Sequence, residues 1–129
     1  MDTQEYLDAF RSSRPECSAA GLVDISSGIV LCVTARRKKP QEYFDALCQL
    51  ASEVFSDANT DALMQAQPAG AGDVRHESIV AVGDETCLFL QSLSDPAEAM
   101  FCMCSGAFDV AETLDVARSR LHFLEQEQM

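Results

Sequence analysis

The chain has 129 residues, 47% hydrophobic and 23% charged, enough apolar material for one globular core without disulfide or metal staples. Nine Lys and Arg face 21 Asp and Glu, a net charge of −12. That excess argues against nucleic acid and anionic membrane surfaces as partners, since both demand a surplus of cations. The acidic start MDTQEYLDAF lacks the basic opening and apolar core of a secretory signal. No run approaches the roughly 20 apolar residues of a membrane helix. The expectation is a cytoplasmic protein, without membrane insertion, whose six cysteines are reduced.

Asp2 to Ser12 reads as a short helix, with Asp2 and Glu5 as a capping pair and Tyr6, Leu7 and Phe10 as its apolar face. Pro15 ends it. Cys17 to Ile25 and Ile29 to Thr34 are two apolar, β-branched runs around Asp24-Ile-Ser-Ser-Gly28, so they read as an antiparallel hairpin. A phosphate loop or a nucleophile elbow would need a glycine turn running into a helix; here Gly28 leads into a strand and no lysine follows.

After ARRKKP, Gln41 to about Ala58 carries the clearest helical periodicity. Tyr43, Phe44, Leu47, Cys48, Leu50, Ala51, Val54, Phe55 and Ala58 fall on an arc of roughly 160° at 100° per residue. One buried face needs only about 100°. The excess implies a second covering surface, from another helix or another subunit. QPAGAGD, Gln67 to Asp73, has loop composition.

Ser78 to Val82 and Thr86 to Leu93 read as strands around Gly83-Asp84, a two-residue hairpin signal. Ser94 to Glu98 is a turn and Ala99 to Ser105 a further strand. Asp109 to about Glu125 is a helix with Asp109 and Glu112 at its start and Arg118 and Arg120 toward its end. Val110, Leu114, Ala117, Leu121 and Leu124 recur at helical spacing. Tight turns make the sheet antiparallel, and continuous apolar runs such as CLFL and MFCMC require cover on both faces. The expected fold is α/β in the α+β sense: a three-layer α-β-α sandwich on a five-stranded antiparallel sheet, ordered helix-strand-strand-helix-strand-strand-strand-helix, in one domain over residues 1–129.

The chemistry-bearing residues are sparse. No C-x-x-C spacing occurs among Cys17, Cys32, Cys48, Cys87, Cys102 and Cys104. Cys102 and Cys104 share one strand face, and closure of the last hairpin at Asp95-Pro96 would set Cys87 opposite Cys104. All three have apolar neighbours and no nearby cation, which favours core packing over thiol chemistry. His76 and His122 have no ligand at metal spacing. The sequence offers no catalytic residues, no metal ligands and no cofactor motif. Arg36, Arg37, Lys38 and Lys39 hold four of the nine basic residues and precede a helix, where cations oppose the helix dipole. They are candidates for binding a partner that carries acidic residues.

The order of elements, the GLVD…GIVL hairpin, the long second helix, the SIVAVGDETCLFLQSLSDP double strand and the closing helix together resemble the Roadblock/dynein light-chain family, bacterial type. The resemblance spans almost the whole chain. It departs in the first hairpin, where family members often have a shorter Asp-x-x-Gly loop. It implies a non-enzymatic homodimer paired through the second helix and third strand, with Phe44, Leu47, Cys48, Ala51, Phe55 and Ile79 at the interface. It also implies a role as scaffold or as regulator of a small Ras-like GTPase, with no cofactor. Two rivals stand beside this expectation: a ligand-binding sensor of the PAS, GAF or profilin-like kind, and a thiol redox or metal protein built on Cys87, Cys102 and Cys104.

Overall fold

The computed structural model describes residues 2–56 and 75–127. Its elements are α1 (Thr3–Ser13), β1 (Cys17–Asp24), β2 (Ile29–Ala35), α2 (Gln41–Phe55), β3 (Glu77–Val82), β4 (Glu85–Gln91), β5 (Glu98–Ser105) and α3 (Val110–Glu127), in the order the sequence predicts. The loop expected at 67–73 and the last residues of the expected second helix, 57 and 58, fall outside the described residues.

The strands form one antiparallel sheet in the order β2-β1-β5-β4-β3. Local chemistry sets its turns. The Asp24 carboxylate accepts from the backbone N–H of Ser26 and Ser27, at 3.0 and 3.2 Å. Gly28 takes a φ of +73°, open to glycine at little cost. The longer loop displaces the register: Leu22 pairs with Cys32 but Val23 pairs with Val30, so Leu31 is an extra residue bulged out of β2. Gly83, at φ +65°, is the first central residue of the two-residue β3–β4 turn, the position where a type II′ hairpin favours glycine. The fourth strand ends at Gln91 rather than Leu93. Beyond it the backbone leaves the ladder for a turn in which the Asp95 carboxylate accepts from Ala97 N and Ser92 Oγ accepts from Asp95 N.

Both faces of the sheet are covered. Leu7 and Phe10 of α1 and Leu114, Ala117, Leu121 and Leu124 of α3 pack on Ala20, Leu22, Leu88, Leu90, Met100, Cys102 and Cys104. On the other face Phe44, Leu47, Cys48, Ala51 and Phe55 of α2 pack on Ala19, Val23, Cys87, Phe89, Phe101 and Met103. β5 is the axis of both cores: Met100 through Cys104 are completely buried. Helix caps match the sequence: Asp2 accepts from Glu5 N at 2.8 Å and Asp109 from Glu112 N at 3.0 Å. Gly21 is required by packing. A Cβ there would lie 2.6 Å from the Cys32 carbonyl oxygen and 2.7 Å from the Phe101 ring.

Candidate functional site

The residues expected at a dimer interface do not form one surface. Phe44, Leu47, Cys48, Ala51 and Phe55 are each no more than 7% exposed, because they face the chain's own sheet. Side chains already sealed from water within one chain offer little further area to a partner. Ile79 is 53% exposed but sits on the other side of the sheet. It pairs with Leu88, which belongs to the core beneath α1 and α3. Paired residues share a face, so Ile79 and the five α2 residues are separated by the sheet itself.

The excess width of the α2 stripe survives at its margin. Tyr43, Leu50 and Val54 are half-buried, packed against the α2-side core without being sealed. They lie together on the helical wheel, within roughly 40° at one edge of the arc. The opposite edge is fixed by Cys48, whose Sγ is 3.7 Å from the Asp24 carbonyl near β1 and β2. The margin therefore points the other way, toward β4 and β3. Tyr43 confirms the direction: burial, and then the nearby charge of Glu85 on β4, push its phenol pKa upward. A spacing argument could have found these residues. In a stripe wider than one sheet can cover, the centre belongs to the core and only the margin is left over.

β3 is the outer strand on this side. Ile79 and Val82 are 53% and 38% exposed, and Ala81 is exposed too. Ser78 to Val82 carries no proline, lysine or bulge of the kind that usually blunts an edge. Glu77 is engaged on the inner face by a two-pronged ion pair with Arg118 of α3. The other outer strand, β2, also exposes Ile29 and Leu31, at 56% and 47%, but is interrupted by its bulge.

Of the basic cluster, Arg36, Arg37 and Lys39 line a pocket of about 260 Å³ with Ser18, Glu85 and Ser105, whereas Lys38 does not line it. The thiols divide differently from expectation. Cys87 pairs with Met103, not Cys104, so it lies under α2 while Cys102 and Cys104 lie under α1 and α3. The shift follows from where the β4–β5 turn closes, with Gln91 opposite Ala99. Cys104 is instead opposite Cys17 on β1, whose thiol donates to the Ala19 carbonyl at 3.3 Å. Burial pushes Cys87 and Cys102 well up, and the Cys17 contact followed by burial does the same for Cys104. All three are poor thiolates. Among the described residues no group of three or more His, Cys, Asp or Glu side chains could hold a metal ion. His76 stacks on Phe55 at 6.0 Å and its Nδ1 lies 3.2 Å from Gln91 Oε1; His122 is exposed beside a smaller pocket at the end of α3.

No family model matches the sequence, and no curated protein matches it. Among the described residues, two helices on one face of a five-stranded antiparallel sheet, one on the other and β3 as an outer strand make this a Roadblock/LC7-type α+β fold. Among solved structures the chain is similar to a Roadblock/LC7 domain from Streptomyces avermitilis, at 16% identity, covering 100% of this chain and 99% of that one with a TM-score of 0.75. It is also similar to Myxococcus xanthus MglB, at 8% identity, 99% and 100% coverage and a TM-score of 0.70. The likeness extends to profilin II of Acanthamoeba castellanii, at 12% identity, 99% and 100% coverage and a TM-score of 0.64. Among the described residues no helix is long and apolar enough to cross a membrane.

Proposed function

We propose that the chain is a single Roadblock-like domain that acts as a non-catalytic, homodimeric interaction module and regulates or scaffolds a small Ras-like GTPase. One observation supports the self-association: the outer strand β3 is unblunted, and its Val80 packs against the same core cluster as the half-buried α2 margin of Tyr43, Leu50 and Val54. An edge with free backbone donors and acceptors gains hydrogen bonds by pairing with another strand. Flanking apolar side chains supply the burial that backbone pairing alone lacks. A second copy meets both needs at once, because a two-fold interface uses the same patch on each partner. The GTPase role is supported by the family resemblance and by a fold shared with MglB.

Sedimentation velocity at micromolar concentration tests the pairing: a mass of two chains is expected, and a mass of one chain would remove the proposal. The GTPase role is tested by adding the purified protein to small GTPases encoded near its gene and following GTP turnover. Unchanged turnover together with no binding would leave the module without that partner. The likeness to profilin favours a second reading, a ligand-binding domain. A thermal-shift screen separates the two, since a bound ligand raises the unfolding midpoint with concentration and a protein-only module is unmoved.

A further inference from the structure

The pocket on the loop between β2 and α2 is built by the sheet, not only by loose side chains. β1 skips a partner at Ser18: Cys17 faces Cys104, but Ala19 faces Met103. Such bulges re-aim the side chain they carry. The Ser18 hydroxyl lies 3.0 Å from Glu85 Oε2 and 3.2 Å from the Met103 carbonyl oxygen. The Ser18 carbonyl accepts from Arg36 N at 2.9 Å, which pins the start of the basic loop to the sheet. Arg36 Nη2 donates to the Arg14 carbonyl at 3.3 Å, and Lys39 Nζ sits 5.0 Å from the centre of the Tyr43 ring. Among the described residues, three cations thus line about 260 Å³ together with a single carboxylate, Glu85.

This is a local reversal of sign. Four of the nine basic residues stand in one loop of a chain with 21 acidic ones. We propose that this pocket docks an acidic segment of a partner protein, whose carboxylates pair with Arg36, Arg37 and Lys39 while Ser105 supplies a hydroxyl donor. Guanidinium groups match carboxylates in a two-pronged geometry. Arg36 and Arg37 remain exposed, so the pocket cannot by itself enclose a small free ligand, which typically loses most of its surface to its site. A partner protein covers the cations with its own body. The acidic remainder of the surface repels that partner elsewhere, so the basic pocket fixes where it lands. A polyanion as long as nucleic acid would meet that repulsion along most of its length.

Fluorescence anisotropy with a labelled hexaglutamate peptide, at about 50 mM salt where surface charges are weakly screened, tests the proposal. The peptide should bind, and the combined Arg36→Glu, Arg37→Glu, Lys39→Glu variant should bind at least roughly tenfold more weakly. The charge-neutral Gln triple variant should show an intermediate loss. Lys38→Glu, in the same loop but not lining the pocket, should change affinity by less than about threefold. Urea unfolding midpoints within error of the parent show that the variants are folded. Any of three results would overturn the proposal: no hexaglutamate binding, equal binding by the triple variant, or saturation by inorganic phosphate or a thymidine oligonucleotide that hexaglutamate cannot displace. Self-association does not enter this readout, so a monomeric chain would leave the result equally decisive.

Discussion

Arg75 reaches both carboxylate oxygens of Glu125, at 2.9 and 3.0 Å, and so ties the residues before β3 to the last turns of α3. Both side chains are almost fully shielded, at 9% and 6% exposure. Ser92 Oγ and Leu93 N also donate to Glu125, and Arg75 donates to the Gln91 carbonyl. Removing one member would strand the other without its counter-charge. Glu125→Ala should therefore cost about 3–5 kcal/mol in urea unfolding, well above the roughly 1 kcal/mol or less expected for Glu112→Ala, whose pair with Arg14 is far more exposed.

The same carboxylate makes stability depend on pH. Burial alone would raise its pKa, but the Arg75 hydrogen bond, the Leu93 N–H, the Ser92 hydroxyl and the Arg75 charge outweigh it and lower the value from 4.5 to about 2. A group with a folded pKa below its unfolded one contributes stability in full above the unfolded value and loses it as pH falls through the folded value. Parent and Glu125→Gln should be furthest apart in unfolding free energy near neutral pH. The gap should close by roughly 2–3 kcal/mol between pH 5 and pH 2. A gap that stays constant would show that the carboxylate is not held in its charged form.

Gly21 stands where the Phe101 ring and the Cys32 carbonyl leave no space for a methyl group. Gly21→Ala should destabilise the chain by about 1–3 kcal/mol through overpacking, measured by chemical denaturation. A pair of changes, Gly21→Ala with Phe101→Leu, should recover part of that loss, because the ring is one of the two obstacles.

For the proposed pairing, Val54→Glu and Ile79→Asp should each lower the sedimenting mass toward one chain while leaving the unfolding of the single subunit within about 1 kcal/mol. Leu47→Glu should instead unfold the chain, because Leu47 is sealed in the core. This contrast separates a partner surface from an internal one.

Thiol accessibility gives a fifth expectation. Cys32 is half-buried and the other five cysteines are buried. Under native conditions a thiol reagent should modify at most one cysteine quickly, and all six after denaturation. Mass mapping should place the early label on Cys32.

The architecture was legible because its signals were local. Period-two and continuous apolar runs marked the strands, Gly28 and Gly83 marked turns that need positive φ, and Asp2 and Asp109 marked helix starts. Cross-strand facts were not legible. The β4–β5 register differs from the expected one by a single residue, Cys87 pairing with Met103 and not Cys104, and a one-residue slip flips a side chain across the sheet. The bulges at Ser18 and Leu31 left no mark in composition. The Arg75–Glu125 pair joins residues 50 positions apart, beyond the reach of any pattern. The α2 stripe showed that surplus apolar surface existed, and the burial along the helix shows that Tyr43, Leu50 and Val54 at its margin carry it.

The extra residue at Leu31 makes the two rims of the sheet unequal. β3 offers a regular ladder to an incoming strand, whereas β2 presents a kinked one that mismatches a straight neighbour. Joining two copies rim to rim through β3 would leave only kinked rims facing outward. Growth by strand addition would then halt after a single round, and such a pair would be protected against running on into fibrils.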